Sequence, residues 1–242
     1  MRYLIDFSYD GSKFSGYQKQ PKKRTVQEEV EKVLTSINDN KVTIYSSGRT
    51  DKGVNALHQM AHFNLDKKIS AYKLIGALNS YLPSDIHIND VKIVDEKFHA
   101  RYNVKLKTYE YKINTGMYNP LLRTHVYQFC KPLNIRKMRK GLNYFKGTHD
   151  FTTFVSAEDK KENKIRTIKK VSLKEKSGII VITFTGNGFL KYQVRNMIGT
   201  LIKIGEEKVE PSIVKELILK KDRRKAFLCA PACGLTLKQV KY

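Results

Sequence analysis

The stretch Ser46-Ser47-Gly48-Arg49-Thr50-Asp51-Lys52-Gly53-Val54-Asn55-Ala56 is a short polar loop set between two runs in which apolar and polar residues alternate. Alternation with a period of two marks a half-buried strand. Val42 and Ile44 therefore predict a strand before the loop. Leu57, Gln59, Ala61, Phe63 and Leu65, interleaved with His58, Met60, His62 and Asn64, predict another after it. Gly48 and Gly53 bracket the loop and permit backbone turns that other residues resist, so Asp51 is presented at a strand end with Arg49 and Lys52 close by in sequence. An aspartate in such a loop is also an ordinary turn former that bonds its own backbone, and spacing alone does not separate the two uses.

Working outward, residues 2 to 9 alternate as a first strand and turn at Asp10-Gly11. Thr25 and Glu28 have capping-box spacing ahead of Val26, Val30, Val33, Leu34 and Ile37, which predicts a helix of about three turns. The Lys22-Lys23-Arg24 lead-in reads as a solvated basic loop or a phosphate grip. Ser70 is placed to cap a helix carrying Leu74, Ile75, Leu78 and Leu82, stopped by Pro83, and residues 86 to 94 read as a strand. From Lys105 to Asn114 a strand puts Tyr109, Tyr111 and Ile113 on one face.

Beyond it, Asn134 caps a helix with Ile135, Met138, Leu142 and Phe145 in one stripe and Arg136, Lys137, Arg139 and Lys140 outside it. The polar segment from Ser156 to Lys164 is the expected mobile loop. Strands then start at Arg166 and span 179 to 184, helices carry Val194 to Ile204 and 213 to 219, and a strand closes the chain. Strands and helices mixed in this order, with few helical crossovers, point to an α+β protein.

Composition narrows the function. Forty-six lysines and arginines against 23 acids give a formal charge of +23. Thirty-five of the basic residues are lysine, a bias that coding composition can produce, but such a bias does not explain the shortage of acids. The excess favours a polyanionic partner, nucleic acid above all. No apolar run approaches the roughly 20 residues that span a bilayer, and Met1 to Asp6 is interrupted by charge too early for a signal peptide, so a soluble cytoplasmic protein without membrane contact is expected.

Cys130, Cys229 and Cys233 have neither disulfide-framework nor zinc-ligand spacing. His58 and His62 stand four apart, but on a strand that separation is roughly 13 Å, too far to share a metal. Gly186 and Gly188 lack the third glycine of a dinucleotide site. No metal or cofactor is expected.

Ser47-Gly48-Arg49-Thr50-Asp51-Lys52-Gly53-Val54 resembles the signature loop of the A-class tRNA pseudouridine synthases. The likeness recurs in order: Tyr9 to Gln20, Ala77 to Asn79 with Leu82 to Ile86, Phe98 to Tyr102, the strand around Tyr109, Gly147 to Phe154, Gln193 to Gly199 and Ala230 to Leu237. The resemblance implies a pseudouridine synthase fold: two α/β subdomains, residues 1–104 and 105–242, with antiparallel sheets joined side by side around a central cleft. It also implies a homodimer that isomerises uridine at positions 38, 39 and 40 in the anticodon arm of tRNA.

Carried over residue by residue, Asp51 is catalytic, Arg195 is its salt-bridge partner, and Tyr109 stacks on the uracil and takes part in catalysis. Arg49 and Arg101 are substrate contacts. Tyr17 stands where the family usually has Trp, with an aromatic face to offer. Lys52 replaces a small residue and Asn55 replaces His. These departures leave room for a relative with altered uridine choice, and a non-catalytic RNA-binding protein would need none of the site residues.

Overall fold

In the computed structural model, residues 1–159 and 162–242 are described, and they form two compact units. The first comprises Met1–Lys105 and Leu237–Tyr242, the second Leu106–Thr236. Antiparallel strands with helices make the protein α+β, and no helix among the described residues is long and apolar enough to cross a membrane.

The first unit runs β1 (Arg2–Tyr9), α1 (Val26–Asn38), β2 (Tyr45–Ser46), β3 (Asn55–Asn64), α2 (Ala71–Tyr81) and β4 (Ile86–Ile93). β1 lies between β3 and β4, antiparallel to both, and β2 adds to β3 through Tyr45 opposite His62. The alternation read from β1 holds, since Tyr3, Ile5, Phe7 and Tyr9 are all buried. Tyr3 sits opposite Phe63 with their rings stacked 5.8 Å apart. Val30 and Leu34 of α1 and Leu74 and Leu78 of α2 supply further wholly buried side chains to the same unit.

Four local expectations change. Val42 and Ile44 are buried but do not form a strand, because α1 side chains take their amides: Val42 N donates to Thr35 Oγ1 at 3.1 Å and Ile44 N to Glu31 Oε1 at 3.1 Å. The capping box does not close; Thr25 is the N-cap of α1 by position, yet its buried Oγ1 makes no hydrogen bond there. Pairing of β1 with β3 slips between Phe7–Gln59 and Tyr9–Ala56, and this bulge turns Leu57 outward to 48% exposure. Arg24 is not a solvated phosphate grip, since it forks onto Asp85 at 2.7 and 2.9 Å and lies 4.2 Å over the Phe14 ring.

The second unit contains β5 (Leu106–Asn114), β6 (Tyr127–Gln128), α3 (Ile135–Asn143), β7 (Gly147–Asp150), β8 (Ile165–Lys176), β9 (Ile179–Gly186), α4 (Gln193–Gly205) and α5 (Ile213–Lys220). Its strands pair antiparallel in the order β5-β9-β8-β7, with β6 parallel to β5. Tyr109, Tyr111 and Ile113 face Phe184, Ile182 and Ile180 across the ladder. α3 forms as expected, with Asn134 Oδ1 accepting from Lys137 N at 3.0 Å and Met138 and Leu142 buried. Residues 147–150 are a strand, followed by a single 3-10 turn.

Within the expected mobile loop, Ser156 N donates to Lys191 O at 3.0 Å, while Lys160 and Lys161 lie outside the described residues. The chain closes with β10 (Leu235–Lys241), which lies beside β3 in the strand order of the first unit.

Candidate active site

The Asp51 loop leaves β2 and returns as β3. Its tip is a turn in which Val54 N donates to Asp51 O at 3.1 Å, with Gly53 third in the turn at φ +77°, a conformation that side chains resist. Gly48 takes no such angle. Its contribution is its carbonyl, which accepts from Gln59 Nε2 at 2.9 Å. Gln59 is wholly buried on β3 and also accepts from Ser47 Oγ at 2.8 Å. Tyr9 Oη bonds Thr50 Oγ1 at 2.7 Å, and Gln59 Nε2 reaches the same Tyr9 oxygen at 3.4 Å. Burial pushes the Tyr9 phenol up to about 12, so it stays neutral in this network.

The loop is held from a second side by Tyr9-Asp10-Gly11. Gly11 N donates to Asn55 Oδ1 at 2.8 Å, and a side chain at Gly11 would stand 2.1 Å from Val54 O. The amide at Asn55 thus ties the opening motif to the end of the Asp51 turn. Tyr17 N donates to Thr50 O at 3.1 Å, but the Tyr17 ring is only 2% exposed and offers no open aromatic face. Gln59 went unnoticed as a functional residue because it falls on the apolar side of the alternation. A buried amide requires partners, and that was the available signal.

Asp51 is half-buried, while Arg49 and Lys52 beside it are exposed. Arg101 is exposed in the 98–103 loop of the same unit. In the second unit, Tyr109 is buried with Phe189 edge-on at 5.2 Å. Arg195 lies on the first turn of α4, where its Nε donates to Ala230 O at 2.8 Å, its guanidinium sits 4.9 Å from the Tyr192 ring, and its own carbonyl accepts from Ala230 N. Tyr192, at φ +63°, is a bulky residue in left-handed backbone, and such strain gathers at functional sites. Among the described residues no three His, Cys, Asp or Glu side chains are grouped to hold a metal.

His58 and His62 have separate tasks. His58 Nδ1 meets Asp6 at 2.9 Å on the surface. His62 is buried, and its Nδ1 accepts from Ala100 N at 3.1 Å. Burial, with help from His99 and Arg2, pushes His62 down to about 4. The unfolded chain therefore takes up a proton below about pH 6.5 that the folded chain refuses until about pH 4, so this group's contribution to stability is lost as pH falls through that window. The urea midpoint is expected to drop between pH 7.5 and 5 by a smaller amount in His62→Gln than in the unsubstituted protein; equal drops would assign the pH dependence to other groups.

The sequence profile of a family described as tRNA pseudouridine synthase matches residues 7–103 and 142–242, which include Asp51, Arg49, Arg101 and Arg195 but not Tyr109. The chain is 43% identical over 246 aligned residues to the tRNA pseudouridine synthase A of Streptococcus thermophilus (strain CNRZ 1066), covering 100% of this chain and 99% of that protein. It is 44% identical, with the same coverage, to that of Streptococcus pyogenes serotype M49 (strain NZ131). With a matched profile over most of its length and end-to-end relatives at this identity, the chain belongs to the tRNA pseudouridine synthase family.

Proposed function

We propose that the protein converts uridine to pseudouridine in the anticodon arm of tRNA, at positions 38, 39 and 40, with Asp51 as the reacting carboxylate. The observation that carries this reading is the way the Asp51 loop is fixed. Ser47, Gly48 and Thr50 are each held by Gln59 or Tyr9, and Asn55 by the amide of Gly11. An aspartate that only formed a turn would need no such frame.

The reaction breaks the bond from ribose C1′ to uracil N1, turns the base, joins C1′ to C5, releases the C5 hydrogen as a proton and leaves the freed N1 with a proton taken up in its place. It consumes no electrons and transfers no group to a second molecule. Asp51 acts as nucleophile or as the base that starts uracil elimination. Arg195, oriented by Ala230 and Tyr192, is the proposed charge partner that keeps the carboxylate ionised. Tyr109 stacks on the flipped uracil, and Arg49 and Arg101 contact the RNA. The +23 charge supplies phosphate affinity that weakens steeply with salt. The two subdomains, divided near residue 104, and a homodimer complete the reading.

Incubation with unmodified tRNA, followed by carbodiimide labelling and reverse transcription, tests it. Stops one nucleotide 3′ of positions 38, 39 and 40 are expected. Stops elsewhere would mark altered uridine choice, and no new stop on any tRNA would overturn the isomerase.

A further inference from the structure

Outside the Asp51 loop, the first unit carries a built cluster of rings. Tyr45 of β2 stacks on His62 with centroids 5.1 Å apart and an interplanar angle of 21°. His62 meets His99 edge-on at 4.6 Å, and His99 lies 4.2 Å from Tyr102. The two outer rings are wide open, Tyr45 at 52% exposure and Tyr102 at 77%.

The loop beneath them is tied down. Ala100 N donates to His62 Nδ1 and Arg101 N to His99 Nδ1, each at 3.1 Å, so both imidazoles are held neutral. His99 N donates to Asn103 Oδ1 at 2.7 Å, Tyr242 Oη to Ala100 O at 2.9 Å, and Arg2 Nη1 to Phe98 O at 2.9 Å. Two large rings are thus held at the surface by neighbours that fix them and leave them uncovered, and exposed Arg101 stands beside Tyr102.

A rigid, uncharged aromatic surface with a cation at its edge, on a protein of charge +23, is what an unpaired nucleobase with its phosphate requires. Tyr45 lies opposite His62, two residues along β3 from Met60, whose carbonyl accepts from Ser47 N where the Asp51 loop departs. The platform therefore stands close to the root of that loop.

Resting on the proposed tRNA substrate, we infer that Tyr102 and Tyr45 form a stacking platform for an unpaired base of the tRNA other than the uridine delivered to Asp51. The platform sets how the arm is seated and makes no contact with the reacting atoms.

The chain has no tryptophan, so Tyr102→Trp introduces a single tryptophan at the platform, excited selectively beyond the tyrosine absorption band. Titrated in the Asp51→Asn background, its emission is expected to be quenched by an anticodon stem-loop and much less by a fully paired duplex of equal length and charge. Equal quenching by both would overturn the platform, whatever the protein catalyses. In the catalytic background, Tyr102→Ala is expected to raise KM for tRNA about tenfold, the effect falling on KM before kcat, and Tyr102→Phe to restore it. A KM for Tyr102→Ala within twofold of the unsubstituted protein would also overturn it. Failure of the isomerase reading has a separate signature, the absence of pseudouridine with the unsubstituted protein.

Discussion

Gly11→Ala is expected to lower turnover about a hundredfold, the scale of loss that a displacement near 1 Å produces in a positioned catalytic group. Gly11 has no unusual φ, so the requirement there is for space. An added methyl would lie 2.1 Å from Val54 O and 2.6 Å from Val54 C, and both neighbours are backbone. Relief requires the Val54 peptide to move by more than 1 Å. Val54 N closes the turn on Asp51 O, so the carboxylate moves with it. The same shift strains the bond from Gly11 N to Asn55 Oδ1, and the folded state is expected to lose about 2 kcal/mol, within the usual range for overpacking.

Gly76→Ala is the matched control. A methyl at Gly76 in α2 meets nothing within 4 Å, so it is expected to stabilise the protein by about 1 kcal/mol and leave turnover alone. Thermal melts and initial rates on the two variants check both statements, and equal rates for Gly11→Ala and the unsubstituted protein would dissociate the Asp51 loop from the chemistry.

The elements with strong periodicity were legible in the sequence. α1, α2 and α4 bury the stripes that their apolar spacing marks, and β1 buries its alternate residues. What escaped was governed by partners distant in sequence. Val42 and Ile44 alternate like a strand, but their amides face side chains of α1 instead of a neighbouring strand. Leu57 reads as inward until a bulge shifts its register. Arg24 reads as a loose charge until Asp85, 61 residues away, forks with it. Tyr17 reads as an exposed stacking ring because its type fits that use, and burial withdraws it.

The candidate site divides in the same way. Asp51 was named from its motif, while the residues that hold its loop, Gln59 and Tyr9 foremost, look like ordinary strand positions until the loop folds over them. Asn55 is a structural tie to Gly11 and keeps the turn in place.

The largest expected effect belongs to Asp51→Asn. The two side chains match in size and share a hydrogen-bond acceptor, so the turn, with its bond from Val54 N to the backbone of residue 51, is retained. The substitution removes the negative charge and the nucleophilic and basic capacity of the oxygen. Replacing a nucleophile or base that acts as one unit with its neighbours costs on the order of 10⁴-fold or more in turnover. Affinity for tRNA, carried by the basic surface, is expected to remain within about threefold, because one fewer acid in a field of +23 alters phosphate binding little.

Single-turnover release of tritium from tRNA labelled at uracil C5, with filter retention on the same samples, isolates the role of Asp51, because forming the new bond at C5 must expel that hydrogen. Release is expected from the unsubstituted protein, while Asp51→Asn is expected to bind tRNA without releasing tritium. Release from Asp51→Asn at an undiminished rate would contradict that role and move the reacting group to another side chain.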